Sequence, residues 1–209
     1  MKLYDCSAMP NPRRVRFFLA EKSLEVDKEE IDILTGENLT PEYLKINAAG
    51  LVPVLQLDDG TNLCEAPAIC RYLESVYPLP NLMGMGPLET ASVEAWERFA
   101  EMSGMQAVGE VFRNSFEGMK TRGVPGPTRV DAIPALVERG KVLLAGFYDQ
   151  LECRLGISEC LAADRFTFAD ITACCAVDAA IFMKMPPPAG NHNTKRWHDT
   201  VSARPAARA

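Results

Sequence analysis

Two short stretches of this 209-residue chain place binding chemistry close together. In "LVPVLQL", residues 51–57, Pro53 stands at the mouth of a predicted strand. Proline has no N–H, so it is tolerated at a strand's first residue, and it pushes Val52 toward an extended conformation. A cis Val52–Pro53 bond would turn the chain sharply and leave the N–H and C=O of Val52 without a strand partner. Such exposed, ordered groups hold an extended peptide by β-type pairing. The plain alternative is a proline that starts an edge strand. In "NLCEAPAICRYL", Glu65 and Ala66 fall where a strand gives way to a helix. A helix N-terminus offers free N–H groups and partial positive charge to a carboxylate, and a neighbouring carboxylate accepts an ammonium group. Together they suit the α-amino acid head of a ligand. The plain alternative is that Glu65 caps the helix and complements its dipole.

The elements that must position these residues are legible along residues 1–77. "KLYDC" reads as a strand. "PNPRRVRFFLAEKSL" carries Val15, Phe18 and Leu19 on one face and reads as a helix. "VDKEEIDIL" alternates like a half-exposed strand, and "TPEYLKIN" is a short helix with Thr40 as cap and Pro41 at its first position. "VPVLQL" and "NLCE" flank the hairpin turn "DDGT", and "APAICRYLESVY" is a helix. The order is β-α-β-α-β-β-α. Residues 78–88, "PLPNLMGMGPL" and its neighbours, read as a linker. Residues 89–209 show no convincing strand. "ETASVEAWERFAEMSGMQAVGEVFRNSF" reads as one long helix. "AIPALVERGKVLLAGFYDQLECRL" has Leu136, Leu143, Leu144, Phe147, Leu151 and Leu155 on one stripe. "TFADITACCAVDAAIFMK" is apolar nearly all round, the mark of a buried helix, and "TKRWHDTVSARP" closes the chain as a short helix. Thr167 and Asp170 form a capping box at the start of the buried helix, a fold determinant rather than a catalyst.

Composition narrows the function further. The net charge is −6, with 47% hydrophobic and 24% charged residues, which describes a globular chain with no general attraction to nucleic acid or anionic membrane. No stretch is long and uncharged enough to span a bilayer. The seven cysteines are odd in number and include no C-x-x-C pair, and only two histidines, His192 and His198, are present. Neither a disulfide framework nor a zinc site is expected, and the reading is a reduced cytoplasm with no metal.

Val52-Pro53, the "DDG" turn, Glu65-Ala66 and Ala68-Ile69-Cys70-Arg71-Tyr72-Leu73 together resemble the glutathione S-transferase family over essentially the whole chain. "DRFTFAD" is similar to the family's [Ser/Thr]-x-x-Asp box, and "RWHDTVSARPA" to its closing helix. The resemblance is to cytosolic, bacterial-type members with a theta- or nu-like start. It implies an α/β thioredoxin-like N-terminal domain that binds glutathione and an all-α C-terminal helical domain. It also implies that Val52 pairs with the cysteinyl backbone of glutathione and that Pro53 is cis to allow it. Glu65 would meet the γ-glutamyl ammonium, and the amide of Ala66 its carboxylate. Ala66 replaces the usual Ser, so one hydroxyl contact is lost, worth roughly 1.5–3 kcal/mol for a bond to a charged group. Leu51 stands where many relatives carry a polar residue.

The reaction so implied is attack by the glutathione thiolate on an electrophilic carbon, a detoxification chemistry. A free thiol has a pKa of roughly 8.5 and needs a donor to acidify it. Relatives place Tyr, Ser or Cys near the end of the first strand or the start of the first helix. Here a Ser-x-Pro-Cys-Arg register puts Pro10 at the serine, and a Thr-Pro-Asn register puts Met9 at the threonine and Asn11 at the asparagine. Asn11 is the first candidate donor, Ser7 the second and Cys6 the third. The plain readings are a helix cap ahead of Pro12 for Asn11, a loop hydroxyl satisfied by backbone for Ser7, and a small buried residue for Cys6. Tyr4 lies too early, and Arg13 and Arg14 either add positive potential or are solvated. Met9, Trp96, Phe99, Met102, Met105 and Phe112 either line a pocket for a hydrophobic electrophile or are plain core. A glutathione-dependent disulfide reductase and a non-catalytic scaffold are the competing functions. The resemblance further implies a homodimer.

Overall fold

The computed structural model describes all 209 residues. Four strands form one mixed sheet in the order β2-β1-β3-β4. These are β1 (Lys2–Asp5), β2 (Asp27–Glu30), β3 (Val54–Gln56) and β4 (Asn62–Cys64). β1 runs parallel to β2 and antiparallel to β3, and β4 closes the hairpin with β3. Helices α1 (Pro10–Glu21), α2 (Pro41–Ile46) and α3 (Ala66–Val76) complete the first part of the chain. The element order is the expected one. β2 is shorter than the alternation suggested, because its four residues are all exposed and it pairs only with β1, while Ile31 and Ile33 turn into the interior beyond its end.

The second part is helical: α4 (Gly86–Phe99), α5 (Gln106–Ser115), α6 (Pro134–Leu155), α7 (Phe168–Phe182) and α8 (His192–Ser202). The helix expected from residue 89 to 116 is interrupted by a wide π-type segment, Ala100–Met105, between α4 and α5. Gly104 in that segment sits so close to Phe147 that a Cβ would lie 2.9 Å from the ring, so the crossing with α6 and α7 needs a glycine there. On α6, Leu144, Phe147, Leu151 and Leu155 are buried as patterned, whereas Leu143 is exposed; the buried stripe includes Tyr148 instead.

α7 is the central pillar. Eleven of its fifteen residues are buried, and its start is closed by the capping box. Asp170 Oδ2 accepts from Thr167 N at 2.9 Å and from Thr167 Oγ1 at 3.1 Å, while Oδ1 accepts from Leu161 N and Trp197 Nε1. One continuous core joins both parts, running from Leu3 and Leu55 of the sheet through Phe17 and Phe18 of α1 to α7 and Trp197 of α8. No helix is long and apolar enough to cross a membrane.

Candidate active site

Strand register brings the chemistry-bearing stretches to one end of the sheet. Tyr4 pairs with Val54 and Val54 with Cys64. The carboxyl ends of β1 and β4 and the amino end of β3 therefore point the same way. The chain leaving β1 starts α1, the chain leaving β4 starts α3, and the chain entering β3 carries Val52-Pro53.

The loop before β3 is held from behind and open in front. Val52–Pro53 is cis. The carbonyl of Leu51 accepts from Tyr43 Oη at 2.7 Å and from Asn47 Nδ2 at 2.9 Å. Neither the N–H nor the C=O of Val52 has a partner in the loops and turns of the protein. The Val52 side chain packs with Cys6, Ile33 and Met119, beside Met9 and Phe112. A fixed backbone with two unpaired polar groups is the arrangement that accepts one extended residue of a peptide.

The start of α3 is also open. Glu65 is exposed, adopts φ +68° and ψ 122°, and its carboxylate caps nothing. The capping role considered for it is therefore not the one it has. The first α3 bond runs from Ile69 N to Glu65 O at 3.0 Å, Pro67 has no N–H, and buried Ala66 lies at the first helical position. An open cleft of about 690 Å³ runs from Glu65 past Arg71 and Tyr72 to Arg98 and Glu101. It reaches neither Val52 nor Asn11, so it is not by itself the site.

α1 begins two residues earlier than a cap at Asn11 ahead of Pro12 would place it. Pro10 takes the first helical position, and Met9 precedes it without a side-chain cap. Asn11 is thus inside the helix, not its cap. Pro10 and Pro12 leave Asn11 with the only N–H among the first three helical residues. Asn11 is exposed, and its Oδ1 accepts from Arg14 Nη1 at 3.0 Å. Guanidinium only donates, so this bond fixes the amide with Nδ2 turned away from Arg14 and free to donate. Ser7 is differently placed: its N and Oγ both donate to Glu30 Oε1, at 2.8 and 2.9 Å, and its carbonyl accepts from Arg16. Its hydroxyl proton is engaged by a carboxylate rather than by backbone. Cys6 is buried, and burial pushes its thiol up, the opposite of what a reactive thiolate needs.

The arginines after Asn11 are neither solvated nor free. Arg13 pairs with Asp178 at 2.6 Å and Arg16 with Asp5 at 2.6 Å. Arg14 is 1% exposed; it pairs with Glu97 and with Glu101 at 3.0 Å, and its Nε donates to Thr172 Oγ1 at 3.1 Å. Burial pushes the Glu97 carboxyl up, and the neighbouring Arg14 pulls it back. Each cation meets a carboxylate, so their added positive potential is largely cancelled. Sequence reasoning missed Arg14 as the residue that orients Asn11. Its partners come from α4, the π segment and α7, and nothing local to "NPRRV" announces them.

The residues named for a hydrophobic pocket divide. Met9 and Phe112 lie beside Val52 with Met119, which the sequence had not singled out. Trp96, Phe99 and Met105 pack in or against the main core, with Trp96 edge-on to Phe99 at 5.5 Å and Phe99 against Phe147. Met102 is half-exposed and joins neither group.

Comparison with known proteins agrees with this architecture. Residues 8–76 match the model for the glutathione S-transferase N-terminal domain, and residues 128–205 that for the C-terminal domain. Glutathione S-transferase 2 of Saccharomyces cerevisiae is 31% identical over 210 residues, covering 100% of this chain and 88% of its own. Among solved structures, a glutathione S-transferase domain-containing protein of Marinobacter aquaeolei superposes with a TM-score of 0.91 at 34% identity, over 99% of this chain and all of that one. Gtt2 of Vibrio parahaemolyticus superposes with a TM-score of 0.85, also at 34% identity, over 100% of this chain and 96% of its own. The chain belongs to the glutathione S-transferase family.

Proposed function

We propose that this protein is a glutathione transferase that adds the glutathione thiolate to an electrophilic carbon of a hydrophobic small molecule. The observation that carries the reading is the unpaired backbone of Val52, fixed in a cis-proline loop at the sheet end where α1 and α3 both start open. In this reading the cysteinyl backbone pairs with Val52. The γ-glutamyl carboxylate meets the Ala66 N–H at the positive end of α3, and its ammonium meets Glu65. The sulfur then lies toward the start of α1. There the free Asn11 amide and the helix dipole favour thiolate over thiol, so the proton leaves to solvent before attack. Met9 and Phe112 form the nearest apolar surface for the acceptor. Ser7 drops to a supporting role because Glu30 holds its hydroxyl. The protein works as a homodimer in the cytoplasm, in detoxification, and needs no metal. A disulfide reductase acting through a protein cysteine is disfavoured, since burial pushes up both thiols at this end, Cys6 after β1 and the half-buried Cys64 that closes β4.

Calorimetry with glutathione, read alongside the ultraviolet thiolate band of the complex, tests this. We expect binding, a thiol that ionises near neutral pH, and a rise of about one pKa unit in that thiol with Asn11→Ala, equivalent to about 1.4 kcal/mol. Binding with no thiolate band would make the protein a non-catalytic member of its family. An unchanged band in Asn11→Ala would remove Asn11 from the chemistry.

A further inference from the structure

We propose that Arg113, Arg122 and Arg129 form a carboxylate-binding subsite beside Val52, supplied by the last turn of α5 and the loop that follows it. The three differ from the α1 arginines in having no carboxylate partner. Arg122 donates only to uncharged oxygens, the Ile33 carbonyl and Asn38 Oδ1. Arg113 donates only to the carbonyls of Arg122 and Val124, at 3.3 and 3.4 Å. Arg129 is exposed and makes no hydrogen bond to the protein. The acids nearest in sequence do not compensate them: Glu110 pairs with Arg139, Glu117 with Lys120, and Asp131 with none of the three.

Two independent contacts place this cluster at the site. Ile33, whose carbonyl holds Arg122, packs in the same small apolar group as Val52. Asn38, which also holds Arg122, donates to the Gly50 carbonyl at 2.6 Å, two residues before Val52. The loop is itself seated there: the Gly123 N–H donates to the Val130 carbonyl, which brings Arg122 and Arg129 alongside each other, and at Gly126 a Cβ would lie 2.8 Å from the Ala49 carbonyl. A buried Arg122 Nε has no partner. Burial and the neighbouring guanidinium both push Arg113 down, and burial and Arg129 do the same to Arg122. Stapling a loop to carbonyls does not require three uncompensated cations in a chain of net charge −6. An arriving carboxylate removes their mutual repulsion and adds forked hydrogen bonds.

The inference rests on the reading of Val52 above, which also limits where the carboxylate comes from. A peptide paired antiparallel with Val52, its γ-glutamyl end at Glu65, directs its next residue toward Leu51 and Gly50, on the Arg122 side. The glycyl carboxylate of glutathione is one source. A carboxylate on the electrophile, seated by Phe112 next to Arg113, is the other. Two matched pairs of probes separate them. Glutathione is compared with its glycyl ethyl ester by calorimetry, and 4-chloro-3-nitrobenzoate with 4-chloro-3-nitrobenzamide as acceptors, where the thiolate sulfur bonds to the ring carbon and chloride leaves with the electron pair. We expect the acid of one pair to be favoured about tenfold over its neutral partner in Kd or kcat/KM, and Arg129→Gln to erase most of that ratio. The pair that responds identifies the source. Ratios near one in both pairs, or a ratio untouched by Arg129→Gln, overturn the subsite. Should glutathione itself not bind, the proposed function falls. The subsite is then judged by thermal melting: succinate, but not succinamide, must stabilise the parent more than Arg129→Gln, or it falls too.

Discussion

The helix starts of this protein come in two kinds. α7 and α2 begin closed: Thr167 and Asp170 satisfy the first turn of α7, and Thr40 Oγ1 accepts from Tyr43 N at 3.3 Å in α2. α1 and α3 begin open: Met9 and Glu65 occupy the cap positions and cap nothing. The first turn of a helix carries N–H groups that need partners. Where the protein supplies them, the turn contributes to stability. Where it does not, the turn is free to meet a ligand. Other helices, such as α4 and α6, also lack a cap side chain, but α1 and α3 are the ones that start at the sheet end that holds Val52. Prolines at positions 10, 12 and 67 limit what an open start costs, because they remove donors that would otherwise lack a partner.

The largest expected effect is on the closed side. Asp170 is fully buried and its two oxygens accept four donors from three segments. Asn in its place keeps the shape and halves the acceptors, leaving buried N–H groups facing an amide NH2. We expect Asp170→Asn to lower stability by about 3 kcal/mol. Chemical denaturation measures it, and a loss under about 1 kcal/mol would mean the closed start is not the anchor of the helical part.

On the open side the signs reverse. Glu65→Gln should weaken glutathione binding about tenfold or more, the value of a charge-assisted bond, with no change in Tm, since the carboxylate bonds to nothing in the protein. Glu65→Gly removes the same carboxylate and also relieves the φ of +68° at a non-glycine residue. It should raise stability by about 1 kcal/mol while losing binding. A variant that lost both stability and binding would show that the open start is structural after all.

This contrast explains which features were legible in the sequence. Element order and the closed starts obey local rules, so Thr40, Pro41, Thr167 and Asp170 announce themselves within four residues. The pairing of Val52-Pro53 with Glu65-Ala66 was legible because a short hairpin fixes their register. Asn11 shows the limit. Asn before Pro12 fits a cap, but Pro10 fits the first helical position equally well by the same rule, and the helix starts there. What then orients Asn11 is Arg14, whose carboxylate partners lie more than eighty residues away. The π segment that carries Glu101 and the arginines beside Val52 are likewise products of long-range packing, and periodicity carries no trace of them.

The smallest effect sharpens the comparison most, because it concerns a closed start beside the open ones. Thr40 caps α2, and Tyr43 of that helix holds the Leu51 carbonyl behind Val52. If closed starts serve stability alone, Thr40→Ala should cost about 1 kcal/mol and leave glutathione affinity unchanged. Denaturation and calorimetry on one preparation give both numbers. A cap loss that also weakened binding would mean that α2 reaches the ligand through Tyr43 and Leu51, and that the division between closed and open starts is one of degree.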